Sequence, residues 1–204
     1  MKIGLYFGSF NPIHVGHLNV AKYFVENTNL DQVWLVVSPQ SPHKDSEILL
    51  AEDNRLLMVN TAIKGVKNIK ALDIEFGLSK PNYTINTLKH LKRKYKENTF
   101  CILMGEDNLR SFYTWFNYEE ILMYYKIYVY PRQNRIEELH KKNTKINSLL
   151  NHKNVFFFKD APLITISSSH IRHSILHKRN VRDFLEEEVY KYIKKNSFYI
   201  ESKN

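Results

Sequence analysis

Residues 3–18 read IGLYFGSFNPIHVGHL, and this stretch decides the fold. The apolar run Ile3–Phe7 predicts a buried strand. Gly8 and Pro12 predict a loop after that strand, and a helical pattern begins near His14. A glycine lets the chain turn sharply, and the free N–H groups at a helix start present partial positive charge to an anion. The stretch therefore predicts a strand, a tight loop and a helix start that can hold phosphate.

The same alternation of apolar runs and helical patterns continues along the chain. Runs typical of strands lie at Ile3–Phe7, Val33–Ser38, Ile69–Leu72, Thr99–Met104, Ile127–Tyr130 and Val155–Phe158. The segments between them repeat apolar residues at helical spacing, which predicts amphipathic crossover helices. Strands that are apolar on both faces and joined by helices form parallel sheets. We therefore expect a three-layer, doubly wound, Rossmann-like α/β fold that binds its ligands at the carboxyl edge of the sheet.

The pattern changes from strands to helices after residue 158. Ser169–Lys178 and Glu186–Lys195 are both typical of helices, and a turn around Arg179-Asn180 separates them. We expect a helical C-terminal subregion over about residues 167–204. Since no repeat, low-complexity tract or linker divides the 204 residues, we expect a single domain over residues 1–204.

The composition is that of a globular protein, with 43% hydrophobic and 25% charged residues. The single cysteine, Cys101, excludes an intramolecular disulfide and a cysteine-rich zinc site, and its apolar surroundings predict a core position. No export signal or membrane-length apolar stretch is apparent, so we expect a cytoplasmic protein that does not contact a membrane.

The formal net charge is +9, and most of the positive excess lies beyond residue 125. Such a charge permits binding to nucleic acid or to smaller phosphates. Much of the excess is lysine beside asparagine on helical stretches, which is typical of a solvated face. We therefore expect no nucleic-acid partner, although a nucleic-acid-binding module stays an alternative.

Two histidines stand at the start of the first helix. Because His14 and His17 are three residues apart, they can share one face of the first turn and donate hydrogen bonds to phosphate oxygens or to a developing negative charge. Taken alone, the pair could be incidental to a capped helix start. The chain contains neither the Gly-Lys-Ser/Thr of a Walker loop nor the glycine spacing of a dinucleotide-binding loop.

A second anion-binding pattern, ISSSHIR, occupies residues 166–172 and again opens a helix. Serine is a good N-cap, so Ser167, Ser168 and Ser169 with the exposed N–H groups can form a cradle. Arg172 lies one turn further and carries a permanently charged fork. A serine-rich cap is often only structural, and the functional interpretation depends on its pairing with the first motif.

The two motifs resemble the G-x-F-x-P-x-H-x-G-H and I-S-S-T-x-I-R signatures of the nucleotidyltransferase superfamily, with Ser169 in place of threonine. That superfamily includes adenylyltransferases and class I aminoacyl-tRNA synthetases. The resemblance implies ATP binding, and the residues it implies here are Gly8, Ser9, Phe10, His17, Ile166, Ser167, Ser168 and Arg172.

The middle of the chain resembles bacterial nicotinate-nucleotide adenylyltransferases in particular. The matching elements are SPQSPHK at 38–44, RLLM at 55–58, PNYTINTL at 81–88 and MGEDNL at 104–109, followed by Trp115-Phe116. The sequence departs from the family pattern at Ser41, Asn82, Asn86 and Gln133. The resemblance runs from Lys2 to about Ile193, with the motifs in the family's order.

The family resemblance also implies roles for residues in the middle of the chain. Lys44 is expected to reach phosphate, and Asp107 to accept hydrogen bonds from ribose. Gly105 and Arg132 are expected to contact ATP. The implied catalytic set is His14, His17, Lys44 and Arg172, and the implied set for nicotinate mononucleotide is Ser9, Lys44, Tyr83, Thr84, Trp115 and Phe116. No protein ligand set for a metal is expected, because Mg²⁺ would arrive with ATP.

The sequence therefore predicts adenylyl transfer from ATP to nicotinate mononucleotide, giving deamido-NAD and pyrophosphate in NAD biosynthesis. An enzyme that uses nicotinamide mononucleotide or phosphopantetheine stays open, because the two outer motifs are shared. A catalytically silent nucleotide sensor is a third alternative, which the intact His14, His17 and Arg172 disfavour. Oligomeric state, including a homo-oligomer, is left open.

Overall fold

The structure is a computed structural model that describes residues 1–39, 49–132 and 144–200. Its six-stranded sheet contains β1 (Lys2–Gly8), β2 (Gln32–Val37), β3 (Ile69–Leu72), β4 (Thr99–Gly105), β5 (Lys126–Tyr130) and β6 (Val155–Phe157). The strands are ordered β3-β2-β1-β4-β5-β6, and every neighbouring pair is parallel. The predicted doubly wound α/β fold is confirmed, and each strand end lies within one residue of its predicted position.

The helices among these residues are α1 (Val15–Asn27), α2 (Glu52–Ala62), α3 (Thr84–Lys94), α4 (Glu106–Ser111), α5 (Tyr118–Tyr124), α6 (Thr144–Leu150), α7 (Ser168–Leu176) and α8 (Glu187–Lys195). Short 3-10 turns lie at Ile74–Gly77, Phe112–Thr114 and Arg182–Phe184. The helical subregion after the sheet is therefore present as α7 and α8, and a 3-10 turn occurs between them in addition to the predicted turn.

Helix α7 ends two residues earlier than its predicted end at Lys178. Lys178 adopts a left-handed backbone conformation with φ of 54°, which cannot continue a right-handed helix. The N–H of Arg179 then turns back to the carbonyl of Ser174 at 2.8 Å, which satisfies a carbonyl of the last turn.

Two apolar layers cover the two faces of the sheet. One layer packs β2 residues such as Val33 and Leu35 against Phe24 of α1, and it includes buried residues of α2, α7 and α8. The other packs Ile3 of β1 against Leu88 of α3, and it includes buried residues of α4, α5 and α6. Because successive strand residues face opposite layers, slipping a strand by one residue would exchange its two buried sets, and this fixes the register.

Cys101 belongs to the core. It lies on β4 with 6% of its surface exposed. Burial raises the pKa of its thiol to about 12, so the group is protonated and inert at neutral pH. The predicted core position is confirmed.

The sheet order creates a crevice between β1 and β4. Strands are added outward in opposite directions from this pair, and β1 and β4 end in Gly8 and Gly105 at the carboxyl edge. Doubly wound folds bind their ligands at such a switch point. Within the described ranges, no helix has the length and apolar character that crossing a membrane requires.

Candidate active site

A cavity of about 510 Å³ opens at the switch point, a size typical of small-molecule sites. Residues from both ends of the sequence line it: Tyr6, Phe7, Gly8, Ser9, Phe10, Asn11, His14, His17, Leu49, Gly105, Asp107, Asn108, Arg132, Ser167, Ser168, Ser169 and Arg172. The structure therefore brings both predicted phosphate motifs to one cleft.

The two histidines of the first motif stack on each other at the start of α1. Their ring centroids are 3.7 Å apart, and the backbone N–H of His14 donates to Nδ1 of His17 at 3.3 Å. A ring nitrogen that accepts a hydrogen bond carries no proton, so the proton of neutral His17 lies on Nε2. His17 can therefore donate from Nε2 to a ligand oxygen.

His14 is a neutral imidazole in this setting. Burial, and secondarily the charge of Arg132, lowers its pKa to about 3. Its Nδ1 atom is buried and has no hydrogen-bond partner among the described residues. This nitrogen lies against the first turn of α1, where a Cβ at Gly16 would be 2.9 Å from it.

Close packing explains the small and strained residues of the first motif. Phe10 has a left-handed φ of 46°, and its ring contacts that of His17 with centroids 5.0 Å apart. A Cβ at Gly8 would lie 3.0 Å from the Phe10 ring, and one at Gly16 would lie 2.8 Å from Ile164 and 2.9 Å from the His14 ring. Glycine at these two positions allows the loop and the helix start to pack closely.

The second motif begins α7 and is hydrogen-bonded to the first. Ser167 is the N-cap, and its Oγ accepts the backbone N–H of His170 at 3.2 Å. Ser168 Oγ donates to the carbonyl of Pro12 at 2.9 Å. Arg172 Nη1 donates to the carbonyl of Asn11 at 2.8 Å. Two segments more than 150 residues apart in sequence thus form one rigid wall of the cavity.

Arg172 brings a permanent charge to this wall. Burial lowers the pKa of its guanidinium, but arginine stays protonated in proteins. Its Nη2 donates weakly to Ser169 Oγ at 3.4 Å, while its buried Nε has no partner among the described residues. The arrangement leaves donor capacity for an anionic ligand.

The opposite wall comes from the ends of β4 and β5. Arg132 Nη1 pairs with Asp107 Oδ2 at 3.4 Å. The buried carboxylate of Glu106 accepts the backbone N–H of Arg132 at 3.1 Å and the guanidinium of Arg110 at 2.7 Å. Glu106 thereby fixes the two strand ends relative to each other, a role that sequence reasoning missed although the residue lies within MGEDNL.

Arg55 of α2 supports the floor of the site from below. Its fully buried guanidinium donates four hydrogen bonds to backbone carbonyls, those of Ser9, Ser38, Pro39 and Leu50, at 2.6–2.9 Å. The side chain thus joins the loop after β1 to the segment after β2. The resemblance singled out this arginine as part of RLLM but did not imply this function.

Two residues predicted from the family resemblance are not among those that line the main cavity. Ile166 lines a smaller cavity of about 50 Å³ that shares His14, His17 and Arg132 with the main one. Lys44 lies outside the described residues.

The four residues predicted for the pyridine ring and its carboxylate do not line the cavity. Tyr83 and Phe116 stack on each other with centroids 4.5 Å apart, and half-buried Trp115 packs on Phe112 at 5.3 Å. Thr84 is the first residue of α3. The aromatic rings of this cluster therefore contact protein rings, and their predicted roles stay predictions.

Sequence reasoning also missed cavity residues, among them Tyr6, Leu49 and Asn108. Tyr6 carries a signal that could have been used, because it is the one hydroxyl-bearing residue of β1 and lies near the carboxyl end of that strand. Burial raises the pKa of its hydroxyl, so Tyr6 is a neutral hydrogen-bonding group. Leu49 gives no such signal.

Comparisons with known proteins identify the family. The Cytidylyltransferase-like family model matches residues 5–174. A protein of Flavobacterium psychrophilum named "Probable nicotinate-nucleotide adenylyltransferase" is 48% identical over 98% of this chain and 99% of its own length. A Bacteroides fragilis protein of the same name is 37% identical over 98% and 95%.

A solved structure agrees at the level of the fold. The Plasmodium falciparum nicotinic acid mononucleotide adenylyltransferase, in complex with NaAD, has a TM-score of 0.78 and 20% identity, and the match covers 97% of each chain. Together with the sequence relatives, which match along nearly their whole length, this shows that the chain belongs to the nicotinate-nucleotide adenylyltransferase family.

Proposed function

We propose that this chain transfers the adenylyl group of ATP to nicotinate mononucleotide. The observation that carries the proposal is the meeting of two helix N-termini, with His14, His17 and Arg172, around one cavity at the switch point of the sheet. The family's name states the same reaction.

The chemistry is an in-line displacement at the α-phosphorus of ATP. An oxygen of the acceptor phosphate forms the new P–O bond, and the bond to the β-phosphate oxygen breaks, so that pyrophosphate leaves. Such a transfer depends on positioning and charge stabilisation, and it needs no covalent enzyme intermediate.

The two motifs supply the positive environment for the triphosphate. We assign the donor Nε2–H of His17 and the charge of Arg172 to the phosphate oxygens that gain charge in the transition state. Neutral His14 adds hydrogen bonding without adding charge. The backbone around Gly8, Ser9 and Phe10 and the α7 start at Ser167 and Ser168 complete the ATP cradle. We also propose Lys44 as a catalytic residue that reaches phosphate.

The remaining walls fit the nucleoside portions. Asp107, held by Arg132, would accept hydrogen bonds from ribose, and Gly105 and Ile166 would border ATP. The Tyr83, Thr84, Trp115 and Phe116 cluster would have to rearrange to bind the pyridine ring, since Tyr83 and Phe116 stack on each other.

Mg²⁺ carried by ATP is compatible with this cavity. The described part of the chain contains no group of three His, Cys, Asp or Glu side chains placed to hold a metal. Asp107 lines the cavity and could contribute one oxygen. Mg²⁺ usually keeps several waters and binds substrate phosphates, so it needs few protein ligands here, and it would neutralise phosphate charge.

The test is turnover of ATP with three acceptors: nicotinate mononucleotide, nicotinamide mononucleotide and phosphopantetheine. We expect nicotinate mononucleotide to be used best, with pyrophosphate formed in equal amount to deamido-NAD. In the His17→Ala variant, kcat should fall by roughly 100-fold, the scale for loss of one donor to a transition-state oxygen.

His177→Ala is the matched control, because His177 is exposed beyond the end of α7 and does not line the cavity. Its kcat should match the wild-type value. Normal kcat in His17→Ala would discard the assigned role of His17. Salt-sensitive nucleic-acid binding without turnover would instead favour the nucleic-acid-binding alternative.

A further inference from the structure

The segment after α8 folds back toward the active-site loop. Ser197 and Tyr199 both have left-handed backbone conformations, with φ of 54° and 65°, which non-glycine residues adopt only when their surroundings hold them. Tyr199 is 7% exposed, and its ring belongs to the apolar layer that contains α1 and α2. A buried Tyr199 side chain therefore accompanies a strained backbone in this segment.

The hydroxyl of Tyr199 reaches the first phosphate motif. It donates to Asn11 Oδ1 at 2.7 Å in a buried hydrogen bond that spans 188 residues of sequence. The same amide oxygen accepts the backbone N–H of Leu50 at 3.4 Å. Burial raises the pKa of Tyr199, so its hydroxyl keeps its proton and stays a donor.

Asn11 is the point at which several parts of the site meet. The residue is 4% exposed and lines the cavity, and its carbonyl accepts a hydrogen bond from Arg172 Nη1 at 2.8 Å. It precedes His14 by three residues in the loop that opens α1. The Asn11 side chain, the guanidinium of Arg172 and the start of α1 at His14 therefore meet at one backbone segment.

We propose that Tyr199 is a positioning residue for adenylyl transfer, whose hydroxyl orients Asn11 and thereby fixes the loop that carries the two histidines. This inference rests on the proposed function. Tyr199 does not line the cavity and acts through Asn11, so its effect should appear in the rate of the chemical step more than in substrate affinity.

The chain offers a matched control for this proposal in Tyr192 of α8. Its hydroxyl donates to Asn54 Oδ1 of α2 at 2.9 Å. The two bonds are of the same type and join the same late region to earlier elements. Neither Tyr192 nor Asn54 lines the cavity, so Tyr192→Phe removes a comparable contact without touching the loop.

The experiment compares Tyr199→Phe with Tyr192→Phe in the full chain, at a temperature where circular dichroism shows both variants to be folded. We expect Tyr199→Phe to lower kcat by roughly 5- to 20-fold, the scale of one lost orienting hydrogen bond, with KM for ATP changed less than twofold. Tyr192→Phe should keep kcat within twofold of wild type. Equal kcat in the two variants would overturn the proposal.

A double variant tests the route of the effect. In an Asn11→Ala background, Tyr199→Phe should cause no further loss of kcat, because the acceptor of its hydrogen bond is already gone. Independent, multiplying losses would contradict action through Asn11. If the wild-type chain shows no turnover, the proposed function fails. The role of Tyr199 is then decided by amide hydrogen exchange of the loop over residues 9–17, which should be faster in Tyr199→Phe than in Tyr192→Phe. Equal exchange in the two variants would overturn its role.

Discussion

At the scale of single residues, the protonation state of His14 has a measurable consequence. Its imidazole stacks on His17 and faces Arg132, and burial lowers its pKa to about 3, against about 6.5 in the unfolded chain. Between these values the unfolded state binds a proton that the native state does not bind, so stability falls as the pH falls. At pH 5 the loss should be about 2 kcal/mol.

Urea unfolding of wild type and His14→Asn at pH 7.5 and pH 5.0 checks this expectation. The other titrating groups are common to both proteins, so their contributions cancel in the comparison. The wild type should lose about 2 kcal/mol more than the variant on acidification. Equal losses would show that His14 takes up a proton in the folded state near its ordinary pKa.

The geometry of Arg172 predicts that lysine cannot replace it. Its fork donates to the carbonyl of Asn11 and to Ser169 Oγ while keeping a charge toward the cavity, and a lysine ammonium cannot span these groups in one plane. Arg172→Lys should lower kcat/KM for ATP by roughly 10- to 100-fold. Arg182→Lys, at an exposed pair with Glu187, should leave it unchanged. Similar values for the two variants would contradict the assigned role of Arg172.

At the scale of elements, Arg55 joins α2 to the loops that follow β1 and β2. Replacing it with methionine keeps much of the volume but leaves buried carbonyls, including those of Ser9 and Ser38, without their donor. Each unsatisfied buried group costs about 1–3 kcal/mol, so Arg55→Met should lower the free energy of unfolding by at least about 3 kcal/mol. Chemical denaturation measures the change, with exposed Arg93→Met of α3 as the control. A difference under about 1 kcal/mol from that control would contradict the interpretation.

The elements themselves could be predicted closely from the sequence. Strands buried on both faces must be apolar nearly throughout, so the predicted strands Val33–Ser38 and Thr99–Met104 lie within one residue of the observed ones. The end of α7 could not be predicted in the same way. Lys178 has no preference for a left-handed conformation, so its φ of 54° leaves no signal in the sequence.

At the scale of the whole molecule, local patterns located the walls of the cavity but not the contacts between distant segments. His14 and Ser167 could be identified from the sequence, because each stands at a helix start beside residues that suit phosphate. The bond between Tyr199 and Asn11 has no such signal, since one tyrosine among 13 is not distinguished by its neighbours. The stacking of Tyr83 on Phe116 was missed for the same reason.

We also propose that residues 1–204 form one domain.

The order in which the walls of the cleft occur along the chain has a consequence for biosynthesis. The six strands found in the described ranges all precede residue 158, whereas Ser167 to Arg172 and Tyr199 come later. A ribosome that has released the whole sheet has therefore still to deliver half of the nucleotide cradle, together with α7 and α8, which cover part of one sheet face. A nascent chain or premature-stop product of that length should therefore be unable to consume ATP, and cellular activity should appear only once translation has passed the late helices.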